Sequence, residues 1–290
     1  LMRISGNTKV VGIFGDPIEQ SLSPYMHNAA FDAMGIGCVY VPFHVRSNAI
    51  EDALGAVKAL DMRGVNLTIP HKELALEFLD EVDKEAADIG AVNTVVNKDG
   101  RLIGYNTDGR GYLESLKVET DFDPKGKSIV VVGAGGSARS ISYTFALEGV
   151  SSVTLLNRTV ERAKALADEY SKKFPDVEFN SGTLTECETY KDADLFVNTT
   201  SMGMLGKGGA DAPIDVSVIS TSAIVSDIVF MPIDTPFIKA AEARGIKTHK
   251  GLGMLIHQGV LSFELWFEEA PPVDVMRFAA VQALEVRQSL

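Results

Sequence analysis

Cysteine is the first scarcity in this chain. Only Cys38 and Cys187 occur in 290 residues, too few for a disulfide framework and in keeping with a reducing, cytoplasmic setting. Basic charge is short as well. The 27 Lys and Arg stand against 39 Asp and Glu, a formal net charge of −12. That balance argues against nucleic acid or an anionic membrane as partner, and leaves room for small anions held by a few local donors. No run of about 18 uncharged apolar residues is present, so no membrane-spanning helix is expected. The opening residues, Leu1-Met2-Arg3-Ile4-Ser5-Gly6-Asn7, carry no signal-peptide core, and Leu1 ahead of Met2 reads as a cloning remnant. The histidines, His27, His44, His71, His249 and His257, are scattered without metal-ligand spacing, so no metal site is expected. Internal repeats and low-complexity tracts are missing too. What remains is a soluble chain, 46% apolar, long enough for two domains with a core each.

The most informative stretch is Ile129-Val130-Val131-Val132-Gly133-Ala134-Gly135-Gly136-Ser137-Ala138-Arg139. Its unbroken β-forming run predicts a strand buried on both faces of a parallel sheet. The turn that follows spells G-x-G-x-x-A. The first glycine permits the tight bend, the second lets the backbone approach a pyrophosphate, and the small third residue packs helix on strand. The helix N-terminus offers phosphate its free N–H groups. The next strand, Val153–Leu156, runs into Asn157-Arg158-Thr159. An NAD enzyme would carry a carboxylate there for the ribose diol; this chain has Arg158, with Arg162 one helical turn on, and a guanidinium suits the 2′-phosphate of NADP. A plainer reading has Asn157 and Thr159 capping the next helix and Arg158 solvated.

In the first half, strands at 9–15, 39–43 and 64–69 alternate with helices from Tyr25 and over 47–60, the rhythm of a parallel α/β sheet. Ser23-Pro24 reads as a helix N-cap followed by proline. Helices are expected at 71–79 and 81–88, then a hairpin of 92–97 with 101–105 across Lys98-Asp99-Gly100. Asn106 or Thr107 would cap the helix that Asp108 opens, and 119–127 reads as the crossing into the second domain. There, strands are expected near 129–132, 153–156, 177–179, 194–198 and 223–228, a glycine-rich mobile loop over 205–213, and a Thr235-Pro236 helix start. Helices 252–268 and 273–288 end the chain. Polar residues gather at the strand-to-helix junctions of the first half: Ser21, Ser23, Asn66, Thr68, Lys72, Asn93, Thr107 and Asp108. Junctions of this kind form the ligand crevice of open α/β sheets. Each could be only a cap or turn residue, but Lys72 caps nothing.

Seven motifs in order resemble those of the shikimate dehydrogenase family over essentially the whole chain. They are Ser21-Leu22-Ser23-Pro24 with His27-Asn28, Asn66-Leu67-Thr68-Ile69-Pro70-His71-Lys72, Ala91-Val92-Asn93-Thr94, Asn106-Thr107-Asp108-Gly109, Gly133-Ala134-Gly135-Gly136, Asn157-Arg158-Thr159, and Gly251-Leu252-Gly253-Met254-Leu255-Ile256-His257-Gln258. The resemblance implies a two-domain α/β enzyme. A substrate-binding catalytic domain, 1–118 plus 256–290 with a mostly parallel sheet, would be joined to a Rossmann-type NADP-binding domain, 119–255, and the C-terminal helices would return to the first. It implies NADPH-dependent, reversible reduction of 3-dehydroshikimate to shikimate, a step toward chorismate and the aromatic amino acids, by a cytoplasmic monomer or homodimer. Lys72 and Asp108 would be the catalytic pair. Ser21 and Ser23 would hold the substrate carboxylate, and Asn66, Thr68, Asn93 and Gln258 its ring hydroxyls or their neighbours. Gly133, Ala134, Gly135, Gly136, Ser137, Asn157, Arg158, Thr159 and Arg162 would hold the cofactor, with Ile228 and Gly251 near the nicotinamide.

The chemistry agrees: carbonyl reduction puts negative charge on the substrate oxygen, and an ammonium held by a carboxylate supplies both charge and proton. The chain departs from the family pattern at Phe230, usually Tyr and placed near substrate and nicotinamide, at Gln20, often His, and at Lys250, usually Asp or Asn. Phe230 leaves the shikimate-versus-quinate preference open. The alternatives are a quinate/shikimate dehydrogenase using NAD(P), or a non-catalytic NADP-binding regulator. Arg158 and Thr159 argue against NAD, and the presence of both Lys72 and Asp108 argues against a regulator.

Overall fold

Lys9–Gly15 (β1) carries the first buried apolar run, and a computed structural model, which describes residues 4–205 and 211–288, places it second from one edge of a six-stranded sheet. Helix α1 (Ser23–Met34), strand β2 (Cys38–His44), helix α2 (Ile50–Ala59) and strand β3 (Gly64–Leu67) follow it. In α2, Glu51 and Asp52 sit in the first turn and Lys58 in the last, each on the favoured end of the helix dipole. Strand β1 pairs in parallel with both β2 and β3. Ser23 is not a cap: α1 begins at Ser23 itself, no side chain caps it, and the serine is buried.

After β3 come α3 (His71–Leu74), a two-residue strand β4 (Glu81–Val82) and α4 (Lys84–Ile89). The helix expected over 81–88 thus begins only at Lys84. Asp83 decides the point, since its side chain accepts from the Glu85 N–H at 2.9 Å and caps α4 there. Strands β5 (Thr94–Lys98) and β6 (Arg101–Tyr105) form the expected hairpin. Asp99 and Gly100 both take positive φ, 53° and 86°, as a two-residue turn matched to strand twist requires. The sheet order is β2-β1-β3-β5-β6-β4, with β5 antiparallel to β3 and β6 and the other pairings parallel. Helix α5 (Asp108–Thr120) follows.

The second sheet contains β7 (Ser128–Val132), β8 (Ser152–Leu156), β9 (Glu178–Gly182), β10 (Leu195–Asn198), β11 (Ile224–Asp227) and β12 (Lys247–His249). Helix α6 (Gly136–Leu147) follows β7, α7 (Val160–Lys173) follows β8, and α8 (Pro236–Ala243) precedes β12. Every pairing is parallel and the order is β12-β11-β10-β7-β8-β9. This is the doubly wound dinucleotide-binding order, and its reversal falls between β7 and β10. Strand β12 was not foreseen; Lys-Thr-His has no apolar pattern, and only its pairing with β11 makes it a strand. Of the glycine-rich stretch 205–213, residues 206–210 lie outside the described residues.

Helices α9 (Gly251–Phe267) and α10 (Val273–Gln288) end the chain. The chain divides into two compact units, Leu1–Gly111 with Leu255–Leu290, and Tyr112–Met254. Among the described residues no helix is long and apolar enough to cross a membrane.

In the first unit the only tryptophan, Trp266 on α9, is buried and donates from Nε1 to the Val95 carbonyl at 3.0 Å. It lies directly over Gly64, where an added Cβ would collide with the Val95 carbonyl and the indole. We therefore expect Gly64→Ala to lower stability by about 1–3 kcal/mol through overpacking. Urea unfolding followed by Trp266 fluorescence measures this.

In the second unit Asp227, at the end of β11, is fully buried and accepts from Asn198 Nδ2 (3.0 Å), the Val229 N–H (3.0 Å) and Thr235 Oγ1 (2.7 Å). Burial outweighs these bonds and pushes its pKa up from 3.8 to about 6. The native state then holds the proton more tightly than the unfolded chain between those values. The stability from this group is complete below the lower value and is lost as pH rises through the upper one. We expect Asp227→Asn to flatten the pH dependence of stability between pH ~4 and ~6 by up to about 3 kcal/mol. Denaturant midpoints by circular dichroism across that range provide the check.

Candidate active site

In the first unit, Thr68-Ile69-Pro70 turns the chain out of β3, and α3 starts at His71, which places Lys72 at the carboxyl end of the sheet. Asp108 opens α5, and its N–H bonds Asn106 Oδ1 at 3.1 Å, so Asn106 closes the helix start. Asn106 is itself fixed by donating to the Ala91 carbonyl at 2.8 Å. These two helix starts bring Lys72 Nζ within 2.5 Å of Asp108 Oδ2. The carboxylate is almost closed off, 4% exposed, while the Lys72 side chain keeps 19%. What exposure the pair keeps is therefore on the Lys72 side chain.

Asn93 organises the other carboxylate oxygen. Its Nδ2 donates to Asp108 Oδ1 (2.9 Å), Thr107 Oγ1 (2.9 Å) and Gln258 Oε1 (3.2 Å), and its Oδ1 accepts from the Thr107 N–H at 2.8 Å. Gln258 reaches this group because Gly111 on α5 has no side chain; a Cβ there would run into the Gln258 backbone. Asn66 forms the next layer, donating to the Asn93 carbonyl (3.0 Å), Thr94 Oγ1 (3.1 Å) and Ser262 Oγ (3.0 Å). Its Oδ1 accepts from the Tyr40 hydroxyl at 2.8 Å. Ser23 lies beside the Tyr40 hydroxyl, and burial raises the phenol's pKa above its ordinary value. His27 stacks on the Tyr40 ring at 4.4 Å, and burial lowers its pKa to about 3, which keeps the imidazole neutral. Ser21 Oγ accepts from the Ser23 N–H at 3.3 Å.

Lys72, Asp108, Asn93, Gln258, Asn66 and Tyr40 thus belong to one hydrogen-bonded assembly, and Ser23 lies beside its Tyr40 end. Thr68 sits beside it in the turn before α3, with its methyl against Gly15. Sequence reasoning missed Tyr40, Thr94 and Ser262. A faint signal existed for Ser262, which stands four residues from Gln258 on a largely apolar helix and so shares its face. Tyr40 lies inside a strand, and only the sheet brings it to Asn66.

In the second unit, Gly133 has φ 121°, and a Cβ there would collide with the Thr199 hydroxyl, which donates to the Val132 carbonyl at 2.7 Å. Gly135 differs. A Cβ on it would meet nothing within 4 Å, so the protein's own packing does not require glycine there. Open space beside the first turn of α6, formed by Gly136 and Ser137 with no acidic residue in it, fits close approach by a phosphate. At the end of β8, Asn157 Nδ2 donates to the Thr159 carbonyl at 2.8 Å, and Thr159 occupies the N-cap of α7 without a side-chain cap bond. The plain capping role is therefore not filled by either side chain. Arg158 and Arg162 are both exposed, a donor set that suits a phosphate ester.

Gly251 is required by packing: a Cβ would strike the carbonyls of Ile228 and Val229. Phe230 is half-buried on the segment after Ile228. Lys250, one of the departures, bonds Asp234 at 2.6 Å and Glu242 at 3.2 Å. Among the described residues no group of three or more His, Cys, Asp or Glu is arranged to hold a metal ion.

Three family models match in chain order: the shikimate dehydrogenase substrate binding domain over residues 13–95, shikimate / quinate 5-dehydrogenase over 116–204, and the shikimate 5'-dehydrogenase C-terminal domain over 251–280. A shikimate dehydrogenase (NADP(+)) of Alkaliphilus oremlandii is 42% identical over 277 residues, 94% of this chain and 96% of its own. Among solved structures, a shikimate dehydrogenase in complex with NADP+ superposes with a TM-score of 0.91 at 38% identity, covering 97% of this chain and 98% of the other. The Thermus thermophilus shikimate 5-dehydrogenase, in complex with NADP(H) and shikimate, gives a TM-score of 0.86 at 37% identity, covering 96% and 100%. Order of motifs, sheet topology and these likenesses lead to one conclusion: the chain belongs to the shikimate dehydrogenase family.

Proposed function

We propose that this protein interconverts 3-dehydroshikimate and shikimate with NADP(H), the reductive step toward chorismate and the aromatic amino acids. The observation that carries this reading is the 2.5 Å Lys72–Asp108 pair, held by Asn93, with the lysine the more exposed partner. When bound, NADPH supplies the hydride that reaches the carbonyl carbon. As charge builds on the substrate oxygen, the Lys72 ammonium lies within the site to stabilise it and deliver the proton, and in the reverse direction the amine takes that proton back. Asp108 accepts from the Lys72 ammonium and fixes its position.

Ser21 and Ser23 hydroxyls bind the substrate carboxylate, and Asn66, Thr68, Asn93 and Gln258 hold the ring hydroxyls. Asn66 has its amide hydrogens committed to protein acceptors. It therefore meets the substrate through the remaining lone pair of Oδ1, as an acceptor from a hydroxyl. Gly133, Ala134, Gly135, Gly136 and Ser137 hold the pyrophosphate. Asn157, Arg158, Thr159 and Arg162 hold the 2′-phosphate, and Ile228, Phe230 and Gly251 lie by the nicotinamide. A reducing, cytosolic location accompanies this reading, supported by two cysteines in 290 residues.

Absorbance of the reduced cofactor, followed with shikimate or quinate against NADP+ or NAD+, tests the substrate pair directly. Turnover is expected on shikimate with NADP+. A preference for quinate with NAD+ would instead mark a quinate dehydrogenase, and tight NADP binding with no turnover a regulator. In the same assay Lys72→Ala should lower kcat by about 10²–10⁴-fold, the scale of a general acid/base, and near wild-type turnover would remove Lys72 from the mechanism. Arg158→Ala should raise KM for NADP+ by about 10–100-fold with little change for NAD+, the loss of charge-assisted bonds to one phosphate.

A further inference from the structure

The last turn of α10 carries Arg287, more than 260 residues along the chain from the Ser21-Leu22-Ser23 element, yet the two meet within the first unit. The guanidinium donates to three consecutive carbonyls: Gln20 (2.6 Å, from Nη1), Glu19 (3.1 Å, from Nη2) and Ser21 (3.3 Å, from Nη2). It also lies over the Tyr25 ring, 5.6 Å from its centre. Three successive carbonyls turned onto one cation are an unusual arrangement for an exposed loop. Left alone they would face water in many orientations, and the rigid fork of Arg can fix them together where a single lysine point charge cannot.

Each peptide unit is planar, with its N–H opposed to its C=O. With the carbonyls of residues 19, 20 and 21 held by Arg287, the planes of the peptide units that follow each of them are fixed, and with them the direction in which the Ser21 side chain leaves the chain. Ser21 is tied further by accepting from the Ser23 N–H, and its own N–H donates to the Ile18 carbonyl at 3.0 Å.

We infer that Arg287 is a positioning residue for substrate binding: from the C-terminal helix it clamps the 19–21 backbone and so presets the Ser21 and Ser23 hydroxyls for the carboxylate of the substrate. The inference rests on the assignment of those serines to the carboxylate. It gives the return of α10 to the first unit a task in recognition as well as in packing.

Steady-state kinetics of Arg287→Ala in the full-length enzyme supply the test. KM for shikimate should rise about tenfold, the scale of one lost charge-assisted hydrogen bond, while KM for NADP+ stays unchanged and kcat stays within about threefold. The methyl ester of shikimate, which has no carboxylate, should be turned over equally by wild type and variant. Millimolar guanidinium should restore part of the loss, and Arg287→Lys should fall between the two. An unchanged KM for shikimate, or an equal loss on the ester, would overturn the clamp. Ser21→Ala and Ser23→Ala separate the two levels. If they raise the shikimate KM and Arg287→Ala does not, the clamp alone fails; if they leave it untouched, the carboxylate assignment fails first. Matching thermal midpoints for wild type and Arg287→Ala would place the loss in recognition, and a fall in midpoint that accounts for the whole kinetic change would count against the clamp.

Discussion

A carboxylate that is 4% exposed cannot stand alone inside a protein, and the first unit is arranged around compensating the one on Asp108. Lys72 faces one oxygen and Asn93 the other, at 2.5 and 2.9 Å. Neither partner is close in sequence. Lys72 arrives from the turn after β3, Asn93 from the residue before β5, and Asp108 from the start of α5. The sheet has to form in its observed order before the three can meet. Asn66, Tyr40, Thr94 and Ser262 then leave the amide of Asn66 and the side chain of Asn93 a single hydrogen-bonding arrangement. A polar network this fully satisfied specifies one geometry, which is what proton transfer over a fraction of an ångström needs.

The second unit solves a different problem, an anion of high charge in a chain that is itself strongly acidic. It does so locally. A positive-φ glycine ends β7, a second glycine leaves space unfilled at the head of α6, and two exposed arginines follow β8. The glycines divide into two physical kinds. Gly133 and Gly251 are demanded by neighbouring protein atoms, while Gly135 is not, and the latter kind points to a ligand. Arg287 applies the same logic to the opposite sign, gathering the carbonyl oxygens of residues 19–21 on one cation.

Much of this was legible in the sequence, and the reasons are local ones. The β7–Gly133 turn, the Asp99-Gly100 hairpin, the Thr235-Pro236 helix start and the sheet-edge cluster of polar junctions each follow from backbone preferences within a few residues. The failures are equally physical. Ser23 had the chemistry of a cap but was drawn into the interior toward Tyr40. The helix at 81–88 lost its first turn because Asp83 caps at a later position, and β12 exists only through its neighbour. Tyr40, Ser262 and Arg287 were invisible because what they touch is set by topology, at separations of 26 to more than 260 residues.

If the buried carboxylate and its ammonium form one catalytic device, Lys72 and Asp108 must act together and not as two independent contributors. A double-mutant cycle with Lys72→Ala and Asp108→Ala, read as kcat/KM for shikimate under saturating NADP+, measures that directly. The coupled pair predicts a double variant no slower than the slower single variant. Two losses that simply multiply would mean that the ammonium and the carboxylate work separately, and would contradict it.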